Sequence, residues 1–492
     1  MFSACSENPF DVFPASLDSA TMKTSFDIVL PEDGASFPKN ITSPEFEWDA
    51  GDNNVWLIRI DLPDGSTLKI SSKNNYWVPE ADVWEKIKSS SENKYFKLTV
   101  FGHDGEILSR SDQSRFRISP YEIDRYVIYR LAHYPMDFTN EIPSLYYRDV
   151  TMSKSEIFFK ATDFCFSCHV PSNDGKAMAL STRRDVLKRD KNAKLTAMDV
   201  LRIILRRELT KNIKGVDLLF VDKKEKYVLV ENGKNQWQRH IFGSMMASWS
   251  PDNSRILLAV NDGISGLDDL TDTTVKLTYY LTGNISVYDV ENKILTPLPG
   301  ASGESIREFW PYFSPNGETI SFSRNSETND SDIYVVPFNN GKGGNPTPLK
   351  GASEKGVREY FQRYSPDGKW IIFNRVSGTG DNFLESSDLY LLPASGGVPK
   401  KLECSKEGIM DSVASWSSGS RWVSFTSRRY KSESRIFFAE LDDKGCAFPP
   451  VKMPNQEAKE AGDRPAYHHA CFIKEKQSVE ALMDIFNNFN NK

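Results

Sequence analysis

Residues 165 to 169 read Cys165-Phe166-Ser167-Cys168-His169, and no other five residues of the chain are as specific about chemistry. Two thiols three positions apart can each add to a vinyl group of one haem, and the adjacent histidine then stands under the iron as its fifth ligand. The spacing therefore predicts one covalent haem c. Cys165 and Cys168 would hold the porphyrin and His169 the metal; no catalytic residue is assigned.

Other uses of a C-x-x-C pair make different demands. A structural zinc site needs four ligands, and the remaining cysteines stand singly at Cys5, Cys404, Cys446 and Cys471. A thioredoxin-like pair sits where a strand enters a helix, whereas Val170-Pro171-Ser172-Asn173-Asp174-Gly175 reads as a turn. A plain disulfide leaves the histidine without a reason. For the iron's sixth position the rivals are Met178, Met245, Met246, His240, His468, His469 or an open site. Met178 falls in a strand, and core is the plainer reading for it.

The elements that must position these groups begin with a module over residues 26–119. Short apolar runs such as Val55-Trp56-Leu57-Ile58-Arg59-Ile60 and Phe96-Lys97-Leu98-Thr99-Val100 alternate with turn signals at 63–65 and 103–105. This pattern predicts an immunoglobulin or fibronectin-III type β-sandwich. Trp48, Trp56 and Trp77 could form a glycan-binding set or fill the sandwich core.

A repeat follows. Trp249-Ser-Pro-Asp-Asn, Phe313-Ser-Pro-Asn-Gly, Tyr364-Ser-Pro-Asp-Gly and Trp416-Ser-Ser-Gly-Ser recur at intervals of 64, 51 and 52 residues. Each leads into a strand such as Trp370-Ile-Ile-Phe-Asn and then another such as Asp388-Leu-Tyr-Leu-Leu. An aromatic strand, a tight turn and two more strands describe one propeller blade.

The Ser-Pro-Asp-Gly-Lys-x-Ile-x-Phe pattern resembles the TolB-like, WD40-like β-propeller repeats of bacterial envelope proteins. With Cys165–His169 ahead of it and Ser415 to Arg429 within it, the chain resembles Bacteroidetes-type lipoproteins that carry a C-x-x-C-H motif before a propeller. The resemblance implies an all-β fold: a sandwich, then a TolB-like propeller of about six blades. It implies a periplasmic or outer-membrane location and no established substrate.

Aligning the turns gives more than the resemblance does. Ser172-Asn-Asp-Gly-Lys-Ala-Met-Ala-Leu is a degenerate repeat, which fuses the haem motif to the first blade. Val216 to Val221 becomes that blade's third strand, and Leu195 to Leu209 a helical insertion. Cys165 then corresponds to Gly243, Arg307, Arg358 and Met410, and Cys168 to Met246, Trp310, Phe361 and Val413. This register sets the haem at the channel mouth, where Arg307 and Arg358 either pair with its propionates or form blade-to-blade bridges through Arg307-Glu308 and Arg358-Glu359.

The expected organisation is a lipoprotein N-terminus and linker at 1–25, the sandwich at 26–119, and a connecting segment with the haem motif at 120–185. The propeller follows at 186–455 and a closing segment at 456–492, with a short helix over Val479 to Phe489. Met1-Phe2-Ser3-Ala4-Cys5 resembles a lipobox with Cys5 as the lipidated residue, although Phe2 stands where an aliphatic residue is usual. Among the other cysteines, Cys404 and Cys446 are a candidate disulfide.

Composition narrows the function classes. A formal net charge of −6 over 492 residues argues against a nucleic-acid surface, and no apolar run reaches transmembrane length. No G-x-S-x-G elbow is present, against a serine hydrolase. Two readings stay open: a monohaem electron carrier or redox sensor with an unknown redox partner, and a propeller binding platform for a protein or glycan. Membrane contact is expected only through Cys5.

Overall fold

The computed structural model describes residues 12–14, 17, 24–133, 144–160, 165–183, 217–222, 228–230, 247–260, 264–265, 279–280, 284–292, 294–303, 306–325, 331–377, 387–430, 433–456 and 465–490. The insertion at 195–209, Cys5, His240, Met245 and Met246 lie outside these residues.

Two sheets form the N-terminal module, one of seven strands and one of three. The larger is centred on Tyr95–His103, which pairs antiparallel with Val55–Asp61. One helix, Ala81–Ser91, closes the module, with Trp84 Nε1 donating to the Ile41 carbonyl at 3.0 Å. Trp48, Trp56 and Trp77 are buried among Phe37, Phe46 and Phe96. These tryptophans are core, because an alternating strand must bury one face of a two-layer sandwich.

Six four-stranded sheets follow in ring order. The first blade comprises Cys165–Pro171, Ala177–Arg183, Asp217–Asp222 and Val228–Val230. The second to fifth have innermost strands at Ser248–Trp249, Arg307–Phe313, Val357–Tyr364 and Asp411–Trp416. The sixth closes the ring from both ends of the propeller: Pro465–Ile473 is innermost and pairs with Tyr126–His133, followed outward by Ser144–Asp149 and Ser155–Lys160. Part of the stretch read as a connecting segment is therefore blade. Its three strands carry no Ser-Pro turn signal because their innermost partner arrives from the far end of the chain.

The repeated turn works through its serine. In the first four blades the hydroxyl of Ser172, Ser250, Ser314 or Ser365 donates to the Asp or Asn two residues on, at 2.7, 2.5, 2.7 and 2.6 Å. It accepts the backbone N–H five residues on, at 3.0, 2.9, 3.0 and 3.0 Å. Gly175, Gly317 and Gly368 take φ of 66°, 74° and 71°, and Asn253 takes 60° in the second blade, the left-handed geometry these residue types tolerate.

The fifth blade has no Asp in its turn. Asp124 of the inter-domain segment braces this turn one residue further on: its carboxylate accepts from Ser418 N at 2.7 Å and Ser418 Oγ at 2.6 Å, while its own N–H donates to Ser417 Oγ at 3.0 Å.

Sandwich and propeller share one continuous core. Trp422, Ile436, Phe438 and Val451 of the fifth blade pack in the same cluster as Phe37, Trp48 and Phe116 of the sandwich. The C-terminal helix, expected over Val479 to Phe489, runs Lys476–Asn490 and buries Val479 and Leu482.

Candidate functional site at the seam and axis of the ring

The innermost strands of the first, third, fourth and fifth blades each carry one residue more than their partners. Phe309 and Tyr312 face Ser323 and Ser321; Tyr360 and Arg363 face Asn374 and Ile372; Ser412 and Ser415 face Thr426 and Ser424. The extra residue makes a bulge. Trp310, Phe361 and Val413 sit there with φ of 51°, 55° and 57°. All three lie four residues before the turn serine, and the same count back from Ser172 reaches Cys168. In the first blade the irregularity falls between Phe166 and His169, which face Thr182 and Leu180. The C-x-x-C-H run thus opens the first innermost strand, in the register the turns gave. Trp310 packs on Phe361 with ring centroids 4.1 Å apart.

His169 is fully buried. Its Nε2 lies 3.2 Å from the carbonyl oxygen of Ile128 in the closing blade. Ile128 pairs in register with Cys471, and Cys471 Sγ donates to the His169 carbonyl at 3.4 Å. One residue of the first blade therefore grips both members of a pair in the closing sheet. Burial pushes the imidazole pKa down to about 4; the Ile128 contact opposes this, and the charges of Arg130 and Arg363 push the same way. A neutral ring facing a carbonyl carries its proton on Nε2.

Arg363 of the fourth blade occupies the ring axis. Its Nη1 donates to Ser415 Oγ of the fifth blade at 3.0 Å, and its guanidinium lies 5.5 Å from the Tyr312 ring centroid of the third. Its charge also acts on Cys471 of the closing blade and on His169 of the first. Only a group at the centre reaches four other blades. Arg363 is 6% exposed. Burial pushes the Cys471 thiol up to about 11, with Arg363 pulling the other way.

The expected arginine–glutamate bridges take a different form. Glu308 pairs with Arg324 and Glu359 with Arg375, across the first two strands of their own blades. Arg324 Nη2 then donates to the Gly300 carbonyl at 2.9 Å and Arg375 Nη2 to that of Gly351 at 3.0 Å. In the fifth blade Arg429 holds Asp411 at 2.9 Å and reaches the Cys404 carbonyl at 2.6 Å. The link between blades is arginine to main-chain carbonyl, and its donor closes the second strand. Burial raises the Glu359 carboxyl to about 7 despite Arg375. Sequence reasoning missed Arg324, Arg375 and Arg429, although an arginine near the end of the second strand in the third, fourth and fifth blades was a readable signal.

Among the sixth-ligand candidates, Met178 alone has its side chain among the described residues. Met178 is fully buried in the second strand of its blade, opposite Pro171 and Val221. The backbone of His468 and His469 runs in the closing strand. Cys404, Cys446 and Cys471 are separate thiols, so the candidate Cys404–Cys446 disulfide is replaced by other contacts. Lys400 Nζ donates to Cys446 Sγ at 2.9 Å, and Cys404 is buried in the wall between fourth and fifth blades.

The residues do not fit a haem c in this fold. The thioethers and the axial ligand must converge on one macrocycle, as one helical turn allows. Here the backbone of the run is extended, and the Nε2 of His169 lies 3.2 Å from the Ile128 carbonyl oxygen. Among the described residues no group of three or more His, Cys, Asp or Glu could hold a metal ion, and no helix is long and apolar enough to cross a membrane.

Fold and site together define an all-β protein in which a sandwich is fused to a six-bladed propeller. No family model matches the chain, and no curated protein does. Among solved structures it is similar to TolB from Acinetobacter baumannii, at 13% identity over 76% of this chain and 79% of that chain, TM-score 0.44. It is also similar to a putative TolB from Agrobacterium tumefaciens, at 15% identity over 71% of this chain and 99% of that one, TM-score 0.39. The tricorn protease matches at 13% identity over 87% of this chain and 39% of that one, TM-score 0.40. These are likenesses of fold, and the ring described above rests on its own strand pairing.

Proposed function

We propose that the chain is a TolB-like propeller binding platform for a protein or glycan partner at the cell envelope. The observation that carries this reading is the uneven length of the connections on the two faces of the ring. On one face the innermost strand meets the second through five residues each time, at 172–176, 250–254, 314–318, 365–369 and 417–421. On the other face the second and third strands are joined by 134–143, 184–216, 261–283, 326–330, 378–387 and 431–432. The third-to-fourth connections on the tight-turn face, such as 290–293 and 441–450, vary less than the second-to-third connections do, so insertion is concentrated on the second face, as on a face used for display.

The rest of the frame supports presentation. A bonded seam and a sandwich sharing the propeller's core hold that face in constant geometry, which lowers the ordering cost of binding. The test is a photo-crosslinking amino acid placed at Ser265 on the loop-bearing face or at Asn316 in a tight turn, in living cells, beside a glycan array. One reproducible adduct from Ser265, or one glycan class bound, supports the platform. Adducts from Asn316 alone, or no adduct and a blank array with folded protein, would sink it. Envelope location is tested separately by palmitate labelling, lost in Cys5→Ser.

A further inference from the structure

We infer that the C-x-x-C-H run of this chain stitches the propeller's seam and holds no haem, an inference that goes beyond the binding-platform reading. Register is the first reason. Cys165 pairs with Arg183 and His169 with Leu180. Positions 180 and 183 are three apart on a regular strand and fall on opposite faces of the sheet. Paired positions share a face, so positions 165 and 169 are opposed too. A haem c attachment needs them on one side of one macrocycle.

The nitrogen itself points the same way. Haem iron takes a lone pair from the imidazole, and the Nε2 of His169 carries a proton directed at the Ile128 carbonyl, 3.2 Å away, in a fully buried setting. Binding iron there would strip a buried carbonyl of its donor and part the first blade from the closing one.

The repeat adds a third reason. His169 lies three residues before its turn serine, and the equivalent residue of the fourth blade is Gln362. Gln362 is 2% exposed, and its Nε2 donates to the Trp310 carbonyl of the preceding blade at 2.5 Å. His169 does the same from the first blade to the closing blade. Two unlike side chains thus perform one task at one position of the repeat: each carries a donor back to a main-chain carbonyl of the preceding blade. A stitch can be made by either residue. An axial ligand cannot be replaced by glutamine without changing the iron's coordination.

That difference gives the experiment. Full-length protein is exported with c-type maturation machinery beside a control cytochrome, and assayed by pyridine haemochrome spectrum and thermal melting as wild type, His169→Gln, His169→Ala and Cys168→Ser. The inference expects no covalent haem in any of them. His169→Gln should melt within about 2 °C of wild type, and His169→Ala about 3–6 °C lower, as for an orphaned buried carbonyl in a large domain. A c-type spectrum in wild type that is lost in Cys168→Ser would overturn it. So would His169→Gln as damaging as His169→Ala, or His169→Ala melting like wild type. If His169→Ala does not fold, His169→Gln decides alone: a wild-type melt supports the stitch and a failed fold overturns it.

Discussion

Arg117 of the sandwich grips Glu440 of the fifth blade with one guanidinium nitrogen on both carboxylate oxygens, at 3.0 and 3.1 Å. Ser36 Oγ donates to the same carboxylate at 2.6 Å, and the Arg117 guanidinium stacks 4.4 Å above Phe448. Glu440 is 1% exposed, so its charge depends on these partners. Glu440→Ala should cost about 3–5 kcal/mol, the usual penalty for stranding one half of a buried pair. Calorimetry should show one transition in wild type and two in the variant. A single undiminished transition in Glu440→Ala would mean that the apolar core alone fixes the two modules.

Asp124 offers a sharper test of how the modules are joined, since it braces a turn whose own sequence lacks the acid. Asp124→Ala should destabilise by about 1–2 kcal/mol, as loss of a charge-assisted acceptor does. Asp124→Asn should recover part of that, because an amide oxygen can still accept from Ser418. Urea unfolding midpoints of the two variants would check both, and equal losses would count against the capping role.

The propeller was legible because its repeat is chemical as well as hydrophobic. The Ser-Pro-Asp-Gly turn fixed the register well enough to put Cys168 level with Trp310, Phe361 and Val413, as the bulges show. The closing blade was not legible, since Pro465–Ile473 and Tyr126–His133 are neighbours only after the ring has closed. The C-x-x-C-H run is ambiguous for a related reason: five residues of sequence cannot say whether their backbone will coil or extend. The strand partner Ala177–Arg183 decides that the backbone extends. The cross-blade arginines recur visibly, but their acceptors were hidden, because these are carbonyls, which leave no mark on a sequence.

The bulges can be tested for stored strain. Val413 is β-branched and holds φ 57°, a conformation that costs such residues about 1–2 kcal/mol. Its N–H is held by Asn374 Oδ1 at 3.2 Å, which any residue at 413 could keep. Val413→Gly should therefore be neutral or stabilising by up to about 1 kcal/mol, whereas Val423→Gly in the buried second strand should cost about 3 kcal/mol or more. Denaturant midpoints for the pair would show it, and equal losses would mean that the bulge carries no strain.

Acid should act on the ring through His169. The imidazole is buried and neutral, with its pKa held near 4 against about 6.5 in an unfolded chain. Between those values the unfolded chain binds more protons at this position than the folded one, so stability falls as pH drops from about 6.5 to about 4. Above about pH 6.5 both states are neutral there and the group adds nothing to the pH dependence. The full contribution is of order 3 kcal/mol, at about 1.4 kcal/mol for each tenfold loss of proton affinity. Carboxylates elsewhere titrate over part of the same window, so the measurement is a difference. Wild type and His169→Gln should have matching urea midpoints near about pH 7.5 and diverge at about pH 5, with the glutamine variant the more stable there. Parallel profiles would mean that His169 reaches solvent and takes up its proton freely in the folded ring.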